Sequence, residues 1–73
     1  MAKTIDFSKK GKAAHEVRGL RSRFSLSQSQ LAEALGISLA TVQNWEQGRR
    51  EPDGAAKVLL AIAQEHPEII FKQ

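Results

Sequence analysis

With 73 residues the chain has room for one small domain, and domains of that size bury only about 60 to 65 per cent of their unfolded surface. It has no cysteine, which excludes a disulfide framework and a thiolate metal site, and its histidines, His15 and His66, fall in different predicted segments. The net charge of +3 is concentrated in residues 1–23, where seven cations face only Asp6 and Glu16, a placement that suits a polyanionic partner or a solvated tail equally well. The longest apolar stretch, residues 58–63, falls far short of the roughly 20 residues of a membrane span. No membrane partner is expected, and a cytoplasmic location fits the composition.

Residues 1–12 contain Lys3, Lys9, Lys10 and Lys12 and too few apolar positions for a core, so they read as a basic, flexible arm. Residues 13–73 read as the folded domain. Over 13–24, Val17, Leu20 and Phe24 recur at i, i+3 and i+7, the spacing of one helical face, with Gly19 weakening the run. A second helix is predicted over 28–35. Ser27 and Gln30 have the spacing of a capping box there, and Leu26 and Leu31 that of a hydrophobic staple.

Ser38 repeats the start signal for a third helix over 39–47, with Thr41 three residues on and Ile37 and Val42 as its staple. Gly36 lies where a chain leaving the second helix needs a left-handed residue, and Gly48 stops the third. Two short helices joined by a three-residue turn are the layout of a helix-turn-helix that reads the DNA major groove. Residues 49–54 then form a loop, because Pro52 disfavours a helical Glu51 and Asp53 can cap a further helix. That fourth helix, over 55–65, is the most apolar, with Val58, Leu59 and Ile62 on one side, widened by Leu60 and Ala61. Pro67 ends it and opens a last turn through Ile69, Ile70 and Phe71, for which packing on the same core and contact with a second copy are both open uses.

Stepping about 100° per residue from a buried Val42 places Trp45, Glu46 and Leu39 toward the protein. Ala40, Gln43, Asn44 and Gln47 then point outward, with Thr41 at the flank. Asparagine and glutamine pair bidentately with adenine N6 and N7, and alanine or threonine methyls rest on thymine methyls. No carboxylate interrupts that face, whereas a helix composed for water alone normally carries lysine and glutamate. Phosphate contacts are expected from the start of the second helix and the Gln28 side chain, from the hydroxyls of Ser38 and Thr41, and from Arg49 and Arg50.

Over roughly residues 16–70 the chain resembles the phage-repressor and Cro class of helix-turn-helix domains, the XRE type, and within it the small antitoxin-like regulators of HigA type that carry Asn-Trp-Glu-Gln-Gly at this place. Counting from Gln28, the family's small residue falls on Ala32, its turn glycine on Gly36, and its apolar positions on Leu31, Leu35, Ile37, Val42 and Trp45. The resemblance implies an all-α, five-helix, lambda-repressor-like domain with helix 3 in the major groove. Its base-facing positions fall on Leu39, Ala40, Gln43 and Asn44, where Leu39 and Ala40 replace the glutamines of some phage members and suggest methyl contacts. It also implies that Arg21 pairs with Glu46 as part of the scaffold.

Other chemistries find little support. His15-Glu16 lacks the second histidine of a zinc-protease helix, since Gly19 stands in its place. No histidine lies near Ser25, Ser27 or Ser29 in sequence, so a nucleophile is not indicated. The expectation is a non-enzymatic, sequence-specific regulator of double-stranded DNA, a repressor acting as a homodimer on a palindrome, with no cofactor and no metal. The alternative is an antitoxin that neutralises a small toxin protein and regulates its own operon, with residues 4–7 as the segment suited to hold that partner.

Overall fold

A computed structural model of the chain describes residues 12–71. Among the described residues there are five helices and no strand: α1 Lys12–Arg23, α2 Gln28–Leu35, α3 Leu39–Glu46, α4 Gly54–Glu65 and α5 Pro67–Ile70. Of the arm assigned to residues 1–12, all but Lys12, which opens α1, lies outside the described residues.

The ends of the helices are fixed by local chemistry. Ser27 and Gln30 form a reciprocal capping box on α2, Ser38 Oγ accepts from the Thr41 N–H at the start of α3, and Asp53 accepts from the Ala56 N–H at the start of α4. Each satisfies a backbone donor that a helix start would otherwise leave without a partner. The first three helices finish alike. In α2 the N–H of Ile37 donates to the Ala32 carbonyl while Gly36 takes a φ of 72°; in α3 Arg49 donates to Asn44 across Gly48 at φ 74°. These are Schellman endings, which use a left-handed residue to close the last carbonyls. The third is built without glycine: Leu26 donates to Arg21 while Ser25 holds a φ of 55°.

The core gathers Val17 and Leu20 of α1, Leu31, Ala32 and Leu35 of α2, Val42 and Trp45 of α3, and Leu60 and Ala63 of α4. Both staple pairs belong to this cluster or pack against it. α3 lies against α1 and α2, α4 meets α1, and α5 folds back on α4. Of the tail residues, Ile70 and Phe71 pack on the core, with the Phe71 and Phe24 rings 4.9 Å apart, whereas Ile69 is 57% exposed. One sequence expectation is corrected here. Helical periodicity turned Leu39 inward, but it is 40% exposed, because as the first residue of α3 it lies at the turn, where no neighbouring helix covers it.

Candidate nucleic-acid interface

α2 and α3 pack against each other across the turn 36–38, and the polarity of α3 reflects what it packs against. Val42, Trp45 and Glu46 are buried. Leu39, Ala40 and Gln47 are exposed, and Thr41, Gln43 and Asn44 are half-buried. The outer face therefore carries an isobutyl, a methyl and three amides, with the Thr41 hydroxyl at its flank, and no carboxylate. Arg49 and Arg50 come next as exposed residues, their main-chain N–H groups both donating to the Asn44 carbonyl at 2.9 and 3.3 Å. That closure sets the two cations directly beyond the end of α3.

Beneath this face lies a carboxylate bonded to two other helices. Glu46 is 4% exposed. Its carboxylate accepts from Arg21 Nε at 2.6 Å and Arg21 Nη2 at 3.0 Å, a forked pair, and from Gln28 Nε2 at 3.1 Å. Burial pushes its pKa up, but the hydrogen bonds from Arg21 and Gln28 and the charges of Arg21 and Arg18 outweigh burial and hold it below the ordinary carboxylate value. The hydrogen bond to Glu46 likewise raises Arg21 against the opposing effect of burial. Arg21 Nη1 also donates to the Leu26 carbonyl at 3.1 Å, so one guanidinium ties α1, the loop before α2 and α3 together. Arg18, one turn earlier, donates to the Glu46 main-chain carbonyl and brings a cation to the C-terminal end of α3, where the helix dipole favours it.

Among the positions expected to touch phosphate, Ser38 and Thr41 already bond each other, Oγ to Oγ1 at 2.8 Å. Gln28 turns its side chain toward Glu46, and Gln43 Nε2 approaches Gln28 Oε1 at 3.5 Å. What the start of α2 retains is its first main-chain N–H groups, which have no partner within a helix. Ala32 is buried on the face of α2 that meets the core. Sequence reasoning missed Arg18 and the inward role of Gln28. The spacing of Arg18 and Arg21, three residues apart on one helical face, was the available signal for the first; nothing local signals the second, which joins residues 18 positions apart.

Arg23 Nη1 donates to the Gln64 carbonyl at 3.1 Å, with its guanidinium 4.9 Å from the Phe24 ring centroid, tying α1 to the end of α4. No cluster of metal-ligating side chains occurs among the described residues, and no helix there is long and apolar enough to cross a membrane.

The helix-turn-helix family model matches residues 17–64 of the chain. A curated relative, Antitoxin HigA-2 of Vibrio cholerae serotype O1, is 42% identical over 55 residues, which is 75% of this chain and 53% of the relative. The chain thus spans about half the length of the curated relative it matches.

Proposed function

This chain belongs to the helix-turn-helix family of DNA-binding transcription regulators, of XRE type, and from that premise we propose that it is a sequence-specific repressor that lays α3 in the major groove of double-stranded DNA. The observation that carries the reading is the face of α3: an uncharged surface of methyl and amide groups, bordered by Arg49 and Arg50 and backed by the partly buried ion pair of Arg21 with Glu46. Side chains of those types are the ones that read base edges, while cations and helix N-termini meet phosphates. In the proposed complex Gln43 and Asn44 supply hydrogen bonds to bases, and Leu39 and Ala40 supply apolar contacts to thymine methyls. Gln28, through its main-chain N–H, and Ser38, Thr41, Arg49 and Arg50 hold the phosphates. Trp45, Val42, Ala32, Gly36 and the Arg21–Glu46 pair keep the reading helix in place.

Each copy presents one α3, so a homodimer on a palindrome with half-sites about 10 base pairs apart supplies the rest of the specificity. Repression by occupying a promoter requires nothing beyond binding, and the proposal includes neither a catalytic role nor a cofactor. A cytoplasmic place of action goes with a DNA target. Selection of bound duplexes from a random pool, with anisotropy titration of those recovered, tests the reading: a motif with two-fold symmetry supports a dimeric reader. Equal binding of all duplexes at moderate salt sinks it.

A second reading has its own support, because the relative from Vibrio cholerae is named an antitoxin. On that reading the chain also binds and neutralises a small toxin, with DNA binding as self-regulation. Co-purification with the product of an adjacent gene separates the two, since a stable complex with a small protein favours the antitoxin and its absence leaves the repressor.

A further inference from the structure

The polar chain that starts at the buried ion pair does not stop there. Glu46 is ionised, and an ionised carboxylate has no proton to donate. Gln28 therefore has to turn its NH2 group toward Glu46, as it does at 3.1 Å, which leaves its carbonyl oxygen facing α3. The group opposite that oxygen is the Gln43 NH2, with its nitrogen 3.5 Å away. Each amide has a donor end and an acceptor end, so the orientation of one dictates that of the next. The fixed charge of Glu46 sets the polarity of the whole series.

We infer that Gln28 is a positioning residue for base recognition, selecting which way round the Gln43 amide meets the nucleic acid. This rests on the DNA-reading role proposed above and adds which end of the amide is offered and to which base. An amide NH2 carries two hydrogens, one beside its own carbonyl oxygen and one pointing away. Donating the latter to Gln28 leaves Gln43 with its oxygen and the adjacent N–H side by side. That edge complements the N6 donor and N7 acceptor of adenine. A rotated amide would turn its oxygen toward the Gln28 oxygen and place two acceptors together. At 3.5 Å the contact is long for a hydrogen bond, so it biases the amide rather than clamping it, and the effect on discrimination is correspondingly moderate.

The experiment compares the wild-type chain, Gln28→Ala, Gln43→Ala and the double variant on the selected operator and on each of its single base-pair substitutions. Circular dichroism and a thermal melt on each variant verify the fold. Gln43→Ala is expected to flatten the preference at one A·T pair per half-site. Gln28→Ala should reduce the preference at that same pair by about three-fold or more, part of the roughly 5- to 150-fold that a bidentate contact provides. It should leave the pair read by Asn44 within about two-fold, and the double variant should flatten Gln43's pair no further than Gln43→Ala does. A common loss on all duplexes, or a flattening at every position, overturns the inference, since those are the marks of a phosphate contact and of a distorted α3. If Gln43→Ala flattens no pair, the inference also falls. In each of these cases a discriminating wild-type chain keeps the DNA-reading role intact, whereas a wild-type chain that prefers no duplex overturns both.

Discussion

α1 to α3 are joined to one another by directional polar contacts, while α4 and α5 are held mainly by apolar packing. In the first region both helices of the helix-turn-helix start at a side-chain cap, all three helices finish at a left-handed residue, and Glu46 collects hydrogen bonds from two other elements. In the second, α4 has its Asp53 cap but ends at His66 without a left-handed turn, and α5 is one turn with no side-chain cap and no buried residue. Its outer surface leaves Val58 59% and Ile69 57% exposed. Apolar burial supplies stability in proportion to area and is indifferent to angle, whereas hydrogen bonds depend on direction. The region whose geometry the proposed function depends on is the region where direction is specified.

Two variants that cost stability for different reasons separate apolar packing from directional bonding. Leu60→Ala removes a fully buried side chain of α4 and should destabilise the domain by about 2 to 5 kcal/mol in urea denaturation. Where folded, it should keep the wild-type order of preference among duplexes. Glu46→Ala should cost about 2 to 3 kcal/mol, less than a wholly buried pair because Arg21 remains a quarter exposed. Unlike Leu60→Ala, it should blur discrimination among duplexes. Unchanged selectivity in Glu46→Ala would mean that packing alone sets the angle of α3.

The same pair gives a pH dependence of known sign. Glu46 has a folded-state pKa below its unfolded value of about 4.3. Its contribution is therefore complete above that value and lost as pH falls through the lower folded pKa, with no change from this group near neutrality. Urea melts from neutral to strongly acid pH should show the acid limb flattened in Glu46→Gln. An acid limb identical to that of the wild-type chain would assign the loss to other carboxylates.

Smaller effects sharpen the division inside the reading region itself. Asn44→Ala should weaken the selected operator by about 1 to 3 kcal/mol and leave an unrelated duplex nearly unaffected, as measured by anisotropy. Arg49→Ala should weaken both duplexes alike and reduce the slope of log affinity against log salt by about one. An equal loss on both duplexes for Asn44→Ala, or an unchanged slope for Arg49→Ala, exchanges or removes the assigned roles.

How much was legible in sequence divides along the line between local and distant interactions. Ser27, Ser38, Asp53, Gly36 and Gly48 act on residues within a few positions of themselves, so their spacing reveals the helix starts, the left-handed turn and the stop. The bounds of α2 matched residue for residue. The inward face of α3 was also legible for Val42, Trp45 and Glu46, because a regular helix repeats. Leu39 was not, since periodicity describes a helix with neighbours along its length and a first residue lacks them. The ion pair of Arg21 with Glu46 spans 25 positions; no spacing rule reaches that far, and only resemblance to a family suggested it. Gln28 shows the remaining limit: its bond to Glu46 joins residues 18 positions apart, so nothing near it in sequence signals that its side chain turns inward.

Ser25 and Gly19 are the finest probe of the contrast, because both lie in the well-specified region and both depart from its local logic. Ser25 occupies the left-handed end of α1 at φ 55°, where the other two Schellman endings use glycine. Gly19 sits inside α1 on an exposed face, and a Cβ added there meets no atom within 4 Å. Glycine in a helix interior costs about 1 kcal/mol relative to alanine, and a side chain at positive φ costs a comparable amount, offset in part by the greater freedom of glycine in the unfolded chain. Gly19→Ala should therefore stabilise the domain by about 1 kcal/mol and Ser25→Gly by about 0.5 kcal/mol. Their effects should add, since no contact joins the two sites. A gain from Gly19→Ala with a loss from Ser25→Gly would show that the serine side chain is itself used at the α1 to α2 junction, and that junction would then join Glu46 as a determinant of how α2 and α3 are set against α1.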